Sequence, residues 1–229
     1  MNDFIIGIMA VSATLGLYGA ALMLYRKKKS PLLQPILVVS ATIIIVLLLF
    51  RIPYETYMIG GQWIEVLMGP AVIALAIPLY NHYERLKQLA VPILAGILVG
   101  AITGVVSGIL FAKAFGFERE LILALVPKSV TTPVAVSIAE TFEGPIPLAA
   151  VFVIVAGISG VLMSPFIYKL FRLKHPLGRG IGMGSASHAI GTAAMMEHSE
   201  LEGSISTIAM VLSAVIVSFI APILVMLFL

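Results

Sequence analysis

The chain has 229 residues, of which 60% are hydrophobic and 11% charged, with a formal net charge of +3. A water-soluble domain carries about 25% charged and about 45–50% apolar residues, so a soluble globular protein is excluded and the chain is expected to be integral to a lipid bilayer. The basic excess lies beside hydrophobic runs, where it reports topology and not nucleic-acid binding; with no cysteine present, disulfide, thiol and Cys-metal chemistry are also excluded.

A helix needs about 20 apolar residues to cross about 30 Å of hydrocarbon. That ruler predicts eight segments, at about 3–25, 33–50, 62–80, 89–112, 119–139, 146–168, 180–197 and 204–228. The start, Met1-Asn-Asp-Phe-Ile-Ile6, has neither a basic leader nor a small-residue cleavage site, so the first segment is expected to be retained. Arg26, Lys27, Lys28 and Lys29 follow it, which places that loop in the cytoplasm and the N-terminus outside. In the third segment Gly69 and Pro70 mark either a kink or a break that frees backbone groups. Tyr54, Tyr57, Trp63 and Tyr80 read as interfacial aromatics. In the fourth, Gly96, Gly100, Gly104 and Gly108 recur every four residues, a pattern expected to let a neighbouring helix pack closely.

The fifth segment is different. It carries Pro127-Lys-Ser-Val-Thr-Thr-Pro133, and Lys128 is the only one of the chain's 14 Lys and Arg residues inside an apolar run. A charge there is expensive and points to function. Lys128 and Thr132 are spaced to share a helical face, as are Ser129 and Thr132. Pro127 and Pro133 remove backbone donors, and the residues after a break offer a helix N-terminus to an anion. The other reading is that Lys128 snorkels to an interface while its hydroxyl neighbours bond back to their own helix.

In the seventh segment Ser185, His188 and Thr192 fall at i, i+3 and i+7, one stripe of a helix, with Gly184 and Gly191 as candidate breaks beside them. His188 is a candidate to hold a carboxylate or couple a proton, with Glu197 beyond it as a minor candidate; alternatively His188 only bridges two helices. The four histidines show no ligand spacing, so no metal site is expected, and nothing calls for a cofactor.

A shift of 115 residues lays Met68-Gly-Pro-Ala71 on Met183-Gly-Ser-Ala186 and sets basic loops against acidic ones, as an inverted repeat of 1–114 and 115–229 would. Four full crossings per half would give parallel repeats instead. Either one segment is re-entrant, the fifth being the candidate, or a short crossing lies between 106 and 127. The expected fold is thus a single-domain, all-α polytopic membrane protein of seven to eight segments, some broken or re-entrant.

These motifs together resemble the LrgB/CidB family of bacterial membrane proteins over essentially the whole chain. The resemblance rests on Gly69-Pro-Ala-Val-Ile-Ala-Leu-Ala-Ile-Pro-Leu-Tyr80, Pro127-Lys-Ser-Val-Thr-Thr-Pro133, Gly157-Ile-Ser-Gly160, Gly184-Ser-Ala-Ser-His-Ala-Ile-Gly-Thr192 and Glu202-Gly203. It implies a multi-pass protein of the bacterial cytoplasmic membrane and carries the family's motif positions onto Pro127, Lys128, Ser129, Thr131, Thr132, His188, Gly191 and Thr192. It also implies either of two functions. One is holin- or antiholin-like modulation of murein hydrolases and autolysis with a small LrgA/CidA-type partner. The other, ranked first here, is carriage of small monocarboxylates such as pyruvate or glycolate. Lys128, Ser129, Thr131, Thr132, Ser185, His188 and Thr192 would then bind the substrate by alternating access. A homo-oligomer is compatible with both; an enzyme is not expected, since no nucleophile–base pair or metal set is present.

Overall fold

The computed structural model describes residues 3–28, 30 and 33–229, so Lys29 of the basic cluster lies outside the described residues. Every regular element among them is helical. The chain forms two compact units, Met1–Ala74 and Leu75–Leu229.

The first unit holds α1 (Asp3–Lys27), α2 (Pro35–Leu49), α3 (Tyr54–Val66) and α4 (Met68–Ala74). Glycine allows α1 and α3 to meet: Gly60 abuts the carbonyl of Gly7, and a methyl group at Gly7 would lie 2.8 Å from the Trp63 ring. The hydroxyls of Thr14 and Tyr57 share a hydrogen bond of 3.1 Å. Tyr57 and Trp63, expected at an interface, therefore also serve helix packing. The α3–α4 interruption falls at Leu67, and Gly69 and Pro70 sit just after it in the first turn of α4. Proline is tolerated there because first-turn N–H groups have no helical partner.

The second unit begins with two short helices, α5 (Ala76–Asn81) and α6 (Tyr83–Gln88). Three long helices follow: α7 (Ala90–Ala114), α10 (Ile146–Leu170) and α12 (Glu200–Phe228). Ile93 and Ile97 pack on Ile205 and Ala209, while Val105 and Ile109 belong to a second cluster with Val217 and Ala221. α7 and α12 thus run in the same direction. Their outer faces are apolar and open, with Val99 63% and Phe219 74% exposed. A helix whose exterior is as apolar as its interior is suited to lipid.

Two segments interrupt this pattern. α8 (Arg119–Leu125) and α9 (Thr132–Thr141) are separated by turns over 126–131. α11 (Pro176–His198) is helical except at His188, where φ is 40° and ψ −132°. Ala124 and Ala139 cluster with Ala149, and Gly144 lies against Leu123. The chain therefore leaves the break roughly alongside the way it entered. The same holds for α11: Gly180 on its first half abuts Ile205, and Met196 on its second half abuts Gly203. The two ends of α11 lie against the same first turns of α12.

By length and composition, five stretches among the described residues can cross a membrane: Asp3–Lys27, Tyr54–Asn81, Ala90–Ala114, Ile146–Leu170 and Glu200–Phe228. Each of the eight expected segments has a helical counterpart, and three of them fall outside these five. α2 has 15 residues, about 22 Å at 1.5 Å each. The helices at 119–139 and 180–197 are interrupted, at 126–131 and at His188, and α11 is in addition too polar to count among the five apolar stretches.

Candidate functional site

The first break is built by its prolines. Pro133 occupies the first turn of α9, where a missing N–H costs nothing. Pro127 is fully buried, and its carbonyl accepts from the Val130 N–H at 3.2 Å while the Lys128 N–H donates to Leu125 O at 3.1 Å. These tight turns end at Thr131, whose extended backbone (φ −68°, ψ 150°) starts α9. Because the break separates them, Lys128 and Ser129 do not share a continuous helical face with Thr132. The side chain of Lys128 crosses to α7, where Nζ donates to the carbonyl of Gly104 at 2.7 Å. A methyl group at Gly108 would sit 2.8 Å from Nζ, and one at Gly104 would sit 3.6 Å from Ser129 Oγ. The glycine ridge of α7 is thus the wall on which this tip rests. Gly104 lies near the middle of α7, which argues against snorkelling to an interface. An ammonium has three donors, and a carbonyl uses one. Among the described residues the one ion pair is Arg179–Glu202, so Lys128 has no carboxylate partner there.

The second break forms at a residue that disfavours it. A positive φ at His188 is strained for any residue with a Cβ. The imidazole, 3% exposed, donates from Nε2 to the carbonyl of Val153 on α10 at 2.9 Å; because a carbonyl can only accept, this bond fixes the tautomer. Gly157 leaves room for the ring, and Gly160 abuts the buried hydroxyl of Ser187. That hydroxyl has no hydrogen-bond partner among the described residues.

The break also disperses the expected stripe, since i, i+3 and i+7 define one face only along an unbroken helix. Ser185 accepts a hydrogen bond of 3.0 Å from Ser213 of α12 and faces Gly100 of α7. His188 turns to α10. Thr192 shares a hydrogen bond of 2.9 Å with Ser206 of α12. Gly184 and Gly191 are not themselves the break: each lies in helix, Gly184 against the Ser206 carbonyl and Gly191 2.6 Å (as a methyl group) from Ser187 Cβ. Glu197 is exposed near the end of α11, about 13 Å along the helix from His188, and the fold does not bring the two together.

What the structure does bring together is the two tips. Ser129 and Ser185 rest on Gly104 and Gly100 of α7, one helical turn apart. Sequence reading missed the partners: Gly104 and Gly108 as a wall, the Val153 carbonyl, Gly160, Ser187, Ser206 and Ser213. Ser206 and Ser213 stand seven residues apart, and that polar stripe on an apolar helix was the available signal.

Five apolar stretches and a polar centre held between two broken segments define a multi-pass, all-helical membrane protein. The model of the LrgB-like family matches residues 14–227. The chain belongs to that family. It is 45% identical over 228 residues to the uncharacterized protein YxaC of Bacillus subtilis, covering 100% of this chain and 99% of the relative. To the holin-like protein CidB of Staphylococcus aureus it is 35% identical over 228 residues, 100% of each chain. To CidB of Staphylococcus epidermidis the identity is 33% over the same span. No solved structure matches.

Proposed function

We propose that this protein is holin-like, in the sense in which its CidB relatives are named. It acts in the bacterial cytoplasmic membrane beside a small LrgA/CidA-type protein and modulates murein hydrolase activity and autolysis. The observation that carries this reading is the end-to-end similarity to CidB. Its test is co-expression with such a partner in a host lacking both, followed by dye release and wall-hydrolase activity. Unaltered permeability and unaltered hydrolysis would refute it.

A second reading, passage of a small monocarboxylate such as pyruvate or glycolate, is favoured by one feature: the Lys128 ammonium has one carbonyl partner and no carboxylate in range among the described residues. A carboxylate beside it would meet the N-terminus of α9 and the hydroxyls of Ser129, Thr131 and Thr132. His188 and Thr192 on the second tip would contribute orientation or a proton. In this reading both broken segments are re-entrant hairpins entering from opposite faces. Gly180 and Met196 meeting the same turns of α12, and Ala124 meeting Ala139, support it. The repeat these contacts favour pairs 90–141 with 146–198, each a 25-residue helix followed by a broken one. Proteoliposomes separate the two functions. A holin-like pore leaks unrelated dyes without competition by carboxylates; a carrier takes up labelled acid saturably and loses uptake in Lys128→Ala.

A further inference from the structure

At one end of the second unit a cavity of about 470 Å3 opens between the end of α10, both ends of α11 and the start of α12. Exposed Lys169, Arg172 and Lys174 stand at its mouth, while Ser164 and Met195, 7% and 3% exposed, form its floor. Within α10, Pro165 has no N–H to give the carbonyl of Val161, and the Ser164 hydroxyl donates to that carbonyl instead at 3.0 Å. The floor is therefore a polar point inside an apolar helix.

From that floor one face of α10 leads to the second break. Val153, Gly157, Gly160, Ser164 and Tyr168 recur at helical spacing and share that face. Val153 holds His188, Gly157 makes room for its ring, Gly160 abuts the Ser187 hydroxyl, and Ser164 and Tyr168 line the cavity. Ser164 and Gly160 are one turn apart, about 6 Å. Around that turn sits a buried apolar cluster drawn from three directions: Val161 of α10, Met183 of the first arm of α11, and Ala194 and Met195 of the second. The Met195 sulfur also lies 3.8 Å from the Tyr168 hydroxyl at the cavity wall. Methionine is unbranched and vacates such a gap by rotation, and apolar constrictions close a path by excluding water. With this cluster closed, the Ser187 hydroxyl has no partner among the described residues; water admitted past the methionines supplies one. We propose that the cavity is the vestibule of a solute path to the tip at Ser187 and His188, with Met183 and Met195 as its gate. The gate rests on the reading in which a small solute passes the two tips.

The test labels single cysteines in the otherwise cysteine-free full chain, in membrane vesicles of both orientations, with a membrane-impermeant thiol reagent. Lys174→Cys marks the face on which the vestibule opens. From that face Ser164→Cys is expected to react readily and Ser187→Cys about 5–30-fold more slowly. Adding Met195→Ala is expected to speed Ser187→Cys about 5–30-fold and leave Ser164→Cys unchanged. Met195→Leu keeps the volume but is stiffer, and is expected to slow Ser187→Cys; it keeps the gate testable if the alanine variant fails to fold. Equal rates at Ser164→Cys and Ser187→Cys, or a Ser187→Cys rate insensitive to both Met195 variants, overturn the gate. Labelling of Ser187→Cys only from the opposite face overturns the route. Because labelling needs no transport, gated labelling without saturable uptake of any acid refutes the carrier and leaves the gate, and uptake with ungated labelling does the reverse.

Discussion

Replacing His188 with glycine and, separately, with alanine tests the break in α11 directly. Both variants lose the same ring and the same 2.9 Å bond to Val153, a loss of about 0.5–1.5 kcal/mol for the bond itself. They differ in the backbone. At φ 40° and ψ −132° alanine keeps the strain of the native turn, about 1–3 kcal/mol, and glycine removes it. Glycine gives back about 0.5–1 kcal/mol through its more mobile unfolded chain. The glycine variant should therefore be at least as stable as the alanine variant, by up to about 2.5 kcal/mol, or up to about 10 °C in midpoint. In a continuous helix the order reverses, with alanine favoured by about 0.8–1.0 kcal/mol. The assay is circular dichroism or size-exclusion of heated aliquots in detergent. Tryptophan fluorescence is unsuitable, because the one tryptophan, Trp63, belongs to the first unit. An alanine variant more stable than the glycine variant would refute the turn at His188.

Other substitutions probe the walls and the tips. Gly184→Ala pushes a methyl group into the Ser206 carbonyl and to 2.7 Å from Ala209 Cβ, and should cost about 1–3 kcal/mol in thermal or denaturant unfolding. Gly182→Ala on the same helix meets nothing within 4 Å and should be neutral or stabilising by up to about 1 kcal/mol. Ser187→Ala removes a buried hydroxyl without a partner and should leave the midpoint unchanged or raised, since an unpaired buried polar group costs about 1–3 kcal/mol. In the cysteine-free chain, the pairs Gly180→Cys/Ile205→Cys and Met196→Cys/Gly203→Cys should each cross-link. Gel mobility reads the bond, and reaction of only one pair would mean that α11 does not fold back along α12.

Some of the site was legible before folding. Lys128 stood out because a charge in an apolar run has few inexpensive placements, and the prolines around it marked the break that lies between α8 and α9. Gly69 and Pro70 drew attention for the same reason, yet the interruption fell at Leu67, because proline fits the first turn of a helix as readily as it ends one. His188 was read as a side chain and not as a turn. Histidine is no helix breaker by propensity, so the glycines at 184 and 191 drew the expectation instead. The glycines of α7 suggested only close packing, which is true of any small-residue ridge; which tips would rest there could not be read from their spacing.

Residence in a bilayer, helical secondary structure, a place among LrgB-like proteins and a helix break near Lys128 are all readable from the order of the residues. Hydropathy and proline act locally, so these properties survive without knowledge of any partner. Where the second helix turns, and which wall each polar side chain meets, depends on the packed fold. Lys128 finds its carbonyl 24 residues away and His188 finds its own 35 residues away. A hydrogen bond of that reach, which helps to hold a histidine in a turn that suits glycine, exists only once the distant helices are packed.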